Sequence, residues 1–123
     1  MPMKKILLVD DEPNIIMSLE YTFKKNNFQV FIARDGQEAL DILKTEQPDL
    51  IILDIMMPNV DGYATIEEVR KDEKLNNCKV IFLSAKNKES DIEKGMNLGA
   101  NAYMTKPFSI KKLVELVNEL LEN

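Results

Sequence analysis

Histidine is absent from the 123-residue chain. Its absence excludes histidine metal sites and Ser-His-Asp triads. Cysteine occurs once, at Cys78, so neither an intramolecular disulfide nor a thiolate metal cage can form. At the head of an apolar run it is expected to be a small core residue. Long apolar stretches are missing too. The longest, such as residues 50–53, are strand-sized, against roughly 20 residues for a membrane span. The N-terminal Met-Pro-Met-Lys-Lys is basic, but the run from Ile6 to Val9 stops at two aspartates and carries no signal-peptide core or cleavage site. No membrane association and a cytoplasmic location are the expectations. Basic residues are in deficit, 16 against 21 acidic for a net charge of −5, which argues against direct nucleic-acid binding through clustered Lys and Arg. Pro/Gly/Ser-rich linkers, internal repeats and low-complexity tracts are also lacking. A single domain over residues 1–123 is the reading.

Hydrophobic residues make up 45% and charged residues 30%, the balance of an ordinary folded domain. Apolar runs recur at residues 5–10, 28–33, 49–54, 78–84 and 101–105, and a segment of helical periodicity comes after each. The first helix, 13–26, opens on Pro13, where a missing N–H costs nothing, and stacks Ile15, Ile16, Leu19 and Phe23 on one face. The second, 36–46, buries Ala39, Leu40 and Leu43. The third, 62–72, turns Tyr63, Ile66 and Val69 inward. The fourth, 88–98, offers Ile92 and Met96 and ends at Gly99, suited to a left-handed cap. The fifth, 109–122, repeats Leu113, Val117, Leu120 and Leu121. The methionines at 17, 56, 57, 96 and 104 read as adaptable packing. Residues 6–9 and 50–53 are continuously apolar, as central strands covered on both faces require. Five βα units then imply an α/β fold with a doubly wound parallel sheet.

Polar residues stand where several strands stop: Asp10 and Asp11 after the first, Asp54 at the third, Ser84 at the fourth, and Lys106 beyond the fifth. In an open parallel sheet these carboxyl ends share one edge, where ligands bind. Each residue alone has a plain explanation, as helix cap, turn former, loop hydroxyl or solvated charge. Their convergence does not. Clustered carboxylates repel, so such a pocket raises a pKa or binds a cation. Oxygen-only ligands select a hard ion, and Mg²⁺ fits, with Mn²⁺ as the alternative. An aspartate can be phosphorylated to an acyl phosphate, with Lys106 and Ser84 offering a charge and a hydroxyl to the phosphoryl oxygens.

The stretches Ile6-Leu7-Leu8-Val9-Asp10-Asp11-Glu12-Pro13, Asp49 to Pro58, Asp61-Gly62, Leu83-Ser84-Ala85 and Gly99 to Phe108 resemble the receiver domains of two-component response regulators over essentially the whole chain. The resemblance implies the flavodoxin-like sheet of order 2-1-3-4-5 with five helices. It implies that Asp54 accepts phosphate from a sensor histidine kinase or a histidine phosphotransfer protein. Asp11, Asp54 and the Met56 backbone carbonyl would bind Mg²⁺ directly, and Asp10 through a coordinated water. Ser84 and Lys106 would hold the phosphoryl group, and Tyr103 would change rotamer when Ser84 is drawn inward. Lys86 becomes a candidate modulator of phosphate lifetime. A cis Lys106–Pro107 bond is implied as well.

Three other readings use similar parts. An Mg²⁺-dependent aspartyl-phosphate phosphatase usually carries a second aspartate two residues beyond the nucleophile, where this chain has Met56. A flavodoxin-like FMN carrier would want a hydroxyl- and glycine-rich phosphate loop where Asp10-Asp11-Glu12 stands. A P-loop nucleotidase would need Gly-x-x-x-x-Gly-Lys-Ser/Thr. A degenerate receiver is disfavoured because every acceptor position is filled. The expected output surface is the fourth helix, fifth strand and fifth helix, binding a downstream protein. Receivers that dimerise through this face use a set of charges whose matching positions here are Ala102, Lys112 and Leu116, so a monomer is expected. Met1 reads as a natural start, which favours a freestanding receiver. The alternative is a fragment of a larger transcriptional regulator or hybrid kinase.

Overall fold

The computed structural model describes residues 3–122. Five strands, β1 (Lys5–Val9), β2 (Gln29–Ala33), β3 (Leu50–Leu53), β4 (Lys79–Ser84) and β5 (Ala102–Thr105), alternate with five helices. These are α1 (Pro13–Lys25), α2 (Gly36–Leu43), α3 (Gly62–Lys71), α4 (Glu89–Asn97) and α5 (Ile110–Leu121). All strand pairs are parallel, in the order β2-β1-β3-β4-β5. The expected flavodoxin-like architecture is therefore present, and its strand and helix ends fall within three residues of those read from the sequence. A short 3₁₀ turn, Glu73–Leu75, has no counterpart in the sequence reading.

The continuous apolar runs are explained by two cores. Leu7, Val9, Ile51, Leu53, Val80 and Phe82 pack on one face with Ala39, Leu43, Tyr63, Ile66 and Val69 from α2 and α3. Their strand neighbours Ile6, Leu8, Leu50, Ile52, Ile81 and Leu83 pack on the other with Leu19, Phe23, Leu113 and Val117 from α1 and α5. Residues 6–9 of β1 and 50–53 of β3 thus lose their water altogether, and none of these positions tolerates a polar side chain cheaply. Helix starts obey local chemistry. Pro13 opens α1, while Asp35, Asp61 and Ser109 accept hydrogen bonds from the backbone N–H of Glu38, Ala64 and Lys112 at the starts of α2, α3 and α5.

Cys78 is buried, as expected, and burial pushes its thiol up to about 12, which makes it unreactive. The methionines divide. Met57 and Met104 pack against the cores, but Met17, Met56 and Met96 are 68%, 58% and 40% exposed, contrary to the packing role expected of them. On α4 the inward position belongs to Gly95 instead of Met96, because the rings of Phe82 and Tyr103 fill the space a side chain would need. Gly99 does take a left-handed conformation, φ 113°. It is held by Arg70, which donates to the carbonyls of Gly99 (3.0 Å) and Cys78 (2.8 Å) and to Asn101 Oδ1 (3.1 Å). That clamp ties the end of α3 to both connections flanking β4 and β5.

Candidate functional site

The backbone ladder places the polar groups side by side. The Asp10 N–H donates to the Ala33 carbonyl, that of Asp54 to Val9, and that of Lys106 to Ser84, so residues just past β1, β3 and β5 end on one edge. Asp10 and Asp54 are each only 4% exposed, and Ser84 is fully buried. The Lys106 ammonium sits among carboxylates: 2.9 Å from Asp10 Oδ2, 2.8 Å from Glu12 Oε1 and 3.5 Å from Asp54 Oδ2. The expected cis bond between Lys106 and Pro107 is present. Two more groups hold the carboxylates in place, since Asp54 Oδ1 accepts from the Ile55 N–H (2.8 Å) and Asp10 Oδ1 from the Glu12 N–H (2.9 Å).

Oxygens of Asp10, Glu12 and Asp54 all lie within 4.8 Å of one another. At that spacing two carboxylates repel by roughly 3 kcal/mol in a medium of effective dielectric 20, and one ammonium cannot neutralise the group. Burial pushes the Asp54 carboxyl above the ordinary carboxylate range, and the Asp10 charge adds to the push, while Lys106 and the Ile55 N–H pull against it. Burial likewise raises Asp10, against hydrogen bonds from the Glu12 N–H and Lys106. For Lys106, burial opposes the charge, but bonds to Glu12 and Asp10 and the Asp54 charge outweigh it and leave the ammonium above its usual value.

These shifts give a stability prediction for the chain without divalent cation. A carboxyl raised in the folded state binds protons there that the unfolded chain does not, so its contribution worsens as pH rises from about 4, the unfolded value, through the folded one. Asp54→Asn therefore unfolds at higher urea than the parent chain at pH 7.5, and the gap narrows as pH is lowered toward 4. Urea titrations at three pH values check both the sign and the trend.

Asp11 is exposed and contributes to Asp54 as a like charge rather than by contact. With Met56, Met57, Pro58, Asp61 and Lys86 it lines an open cleft of about 440 Å³ beside the acidic group. Lys86 Nζ points toward α4, 3.9 Å from Asp91, and its backbone N–H donates to Ser84 Oγ at 3.2 Å. Tyr103 is half-buried, with its ring 5.8 Å from that of Phe82 and its hydroxyl donating to the Lys86 carbonyl at 2.7 Å. Burial pushes its phenol up to about 12. Sequence reasoning missed two groups here. Glu12 joins the acidic cluster, and Tyr63 donates from α3 to the Asp91 carbonyl on α4 at 3.1 Å.

A five-stranded parallel sheet of order 2-1-3-4-5, with buried aspartates and a lysine at its carboxyl edge, is the architecture of a receiver, the switch module of two-component signalling. The chain belongs to the response regulator receiver domain family, whose model matches residues 6–118. It is similar to the alkaline phosphatase synthesis transcriptional regulatory protein PhoP of Bacillus subtilis (strain 168), 42% identical over 118 residues. Those residues are 96% of this chain and 48% of PhoP, so the chain spans about half the length of that curated relative. The receiver domain of Francisella response regulator 1452 is 36% identical with a TM-score of 0.89, each chain covered to 97%. The chemotaxis response regulator CheY4 of Vibrio cholerae is 28% identical with a TM-score of 0.91, covering 98% of this chain and 100% of that one. Receiver domains are signalling switches rather than ordinary enzymes, bind Mg²⁺ at an aspartate cluster, and imply a histidine kinase or phosphotransfer donor. The acidic cluster of this chain fits a phosphorylation site. Among the described residues, no helix is long and apolar enough to cross a membrane.

Proposed function

We propose that residues 1–123 act as a receiver in which Asp54 accepts a phosphoryl group from a phosphohistidine donor in an Mg²⁺-dependent reaction. The observation that carries this reading is the shared lysine: one ammonium reaches Asp54 and Asp10, both buried, at the carboxyl edge of the sheet. The donor set is oxygen only and its charge exceeds what Lys106 offsets, which suits Mg²⁺, with Mn²⁺ as the alternative. Asp11, Asp54 and the Met56 carbonyl would hold the ion directly, and Asp10 through water. When bound, it neutralises charge on the transferring group. An Asp54 oxygen forms the new O–P bond as the donor's N–P bond breaks and its electron pair leaves with the imidazole. These 123 residues hold no histidine, so the phosphoryl group comes to Asp54 from a donor outside them. Lys106 and Ser84 then take the phosphoryl oxygens. Lys86, lining the cleft, modulates how long the phosphate survives.

Output depends on Ser84 and Tyr103. The phosphoryl group brings about −1.5 to −2 charges beside a buried hydroxyl. Drawing Ser84 inward changes the space below Tyr103, whose ring lies against Phe82 of β4 and whose hydroxyl ties β5 to the segment preceding α4. The α4-β5-α5 face is then read by a downstream protein in the cytoplasm. Incubation with a small acyl phosphate tests the chemistry: one phosphoryl group is gained with Mg²⁺ and none with a chelator, as read by intact mass. Uptake unaffected by the chelator contradicts the Mg²⁺ dependence.

A second reading is supported by PhoP, a transcriptional regulator about twice as long that matches this chain over 118 residues. There the same face would pair two receivers. The positions expected to carry the pairing charges hold Ala102, Lys112 and Leu116, which favours a monomer. Light scattering at micromolar concentration with beryllofluoride and Mg²⁺ separates the two. A monomer is expected; a dimer that forms only on activation supports the longer regulator.

A further inference from the structure

The Lys106 ammonium has three N–H donors, and its two shortest contacts are to Glu12 (2.8 Å) and Asp10 (2.9 Å), with Asp54 farther off at 3.5 Å. Asp10 is buried beside it. Glu12 is different, since its side chain is 56% exposed and reaches in from the residue that precedes α1. Its backbone is fixed on both sides. Its N–H is taken by Asp10 Oδ1, its carbonyl accepts from the Ile16 N–H, and Pro13 is next in the chain. The Glu12 side chain caps no helix N–H, so its carboxylate is committed to Lys106 instead of to the start of α1. We infer that Glu12 is a positioning residue that parks the Lys106 ammonium on the α1 side of the cluster, so that a phosphoryl group on Asp54 must compete with Glu12 for it. The inference rests on Asp54 being the phosphoacceptor and deepens that reading. An exposed carboxylate is the right kind of competitor. It holds the ammonium when Asp54 carries no phosphate, yet its hold is weak enough for a doubly charged phosphoryl group to overcome.

Binding of beryllofluoride at saturating Mg²⁺, measured by calorimetry, tests this without any turnover. Glu12→Gln and Glu12→Ala each tighten binding about two- to fivefold, the range one exposed ion pair supports. The gain disappears in a Lys106→Ala background, because Glu12 acts through that ammonium. Equal affinity in the parent chain and both Glu12 variants overturns the inference. So does a gain that persists without Lys106, which would mark a general charge effect. Tight binding that survives Asp54→Asn in the parent chain is a different failure: it overturns the phosphoacceptor reading itself, and the Glu12 inference with it.

Discussion

Asp54→Asn is expected to abolish phosphoryl uptake from acyl phosphate in the presence of Mg²⁺, while the parent chain is expected to take up one group. The substitution preserves the size of the side chain and replaces a nucleophilic carboxylate with an amide that cannot form an acyl phosphate. No neighbour substitutes for it. Asp10 is engaged by Lys106 and the Glu12 N–H, and the buried Ser84 hydroxyl has no histidine base available in the chain. The loss is not a folding defect, because removing one of several repelling carboxylates relieves the pocket, which the higher urea midpoint expected of the same variant at pH 7.5 would register. Intact-mass spectra with equal uptake by both chains contradict the assignment.

Gly62→Ala carries the largest expected cost to the fold. A Cβ on Gly62 would meet the Asp54 carbonyl oxygen and lie 2.7 Å from Ile55 Cα. Both are backbone atoms at the end of β3, and the Gly62 N–H donates to the Ile55 carbonyl at 2.9 Å, so neither side can step aside. The start of α3 must move away from the strand. Overpacking of this kind costs about 3 kcal/mol, visible as a lower urea midpoint with an unchanged slope. The clash also displaces Asp54, the residue proposed to accept the phosphate, so the rate of uptake is expected to fall about tenfold or more. Gly62→Ala with the parent's midpoint and rate would show that the connection after β3 is more pliable than these contacts allow.

Much of this molecule is legible in its sequence because the sheet imposes simple rules. A strand covered on both faces must be apolar throughout, so residues 6–9 and 50–53 announce central strands, and the polar residues directly after them must lie on the carboxyl edge. Asp10, Asp54 and Lys106 are found that way, although Lys106 lies 96 residues from Asp10. Glu12 is not, because beside two aspartates and before Pro13 it reads as a helix-start acid. Only the returning chain at Lys106 gives it a partner. Arg70 shows the same limit. Nothing in its position on α3 marks it out, and its bonds to Gly99, Cys78 and Asn101 exist only once the end of α3 meets the connections that lead into β4 and β5. On α4, periodicity counts side chains and so favours Met96, whereas packing against Phe82 and Tyr103 favours the residue that has none, Gly95.

One particular carboxylate, that of Asp54, is proposed to carry the phosphate, and chemical trapping reads the modified position residue by residue. Borohydride converts an acyl phosphate on aspartate to homoserine, which marks the modified position permanently. After phosphorylation with Mg²⁺, reduction and proteolysis, peptide mass spectrometry is predicted to find homoserine at position 54 and intact aspartate at 10 and 11. Homoserine at either of those positions, or phosphate retained on Ser84 with position 54 unchanged, would contradict Asp54 as the phosphoacceptor.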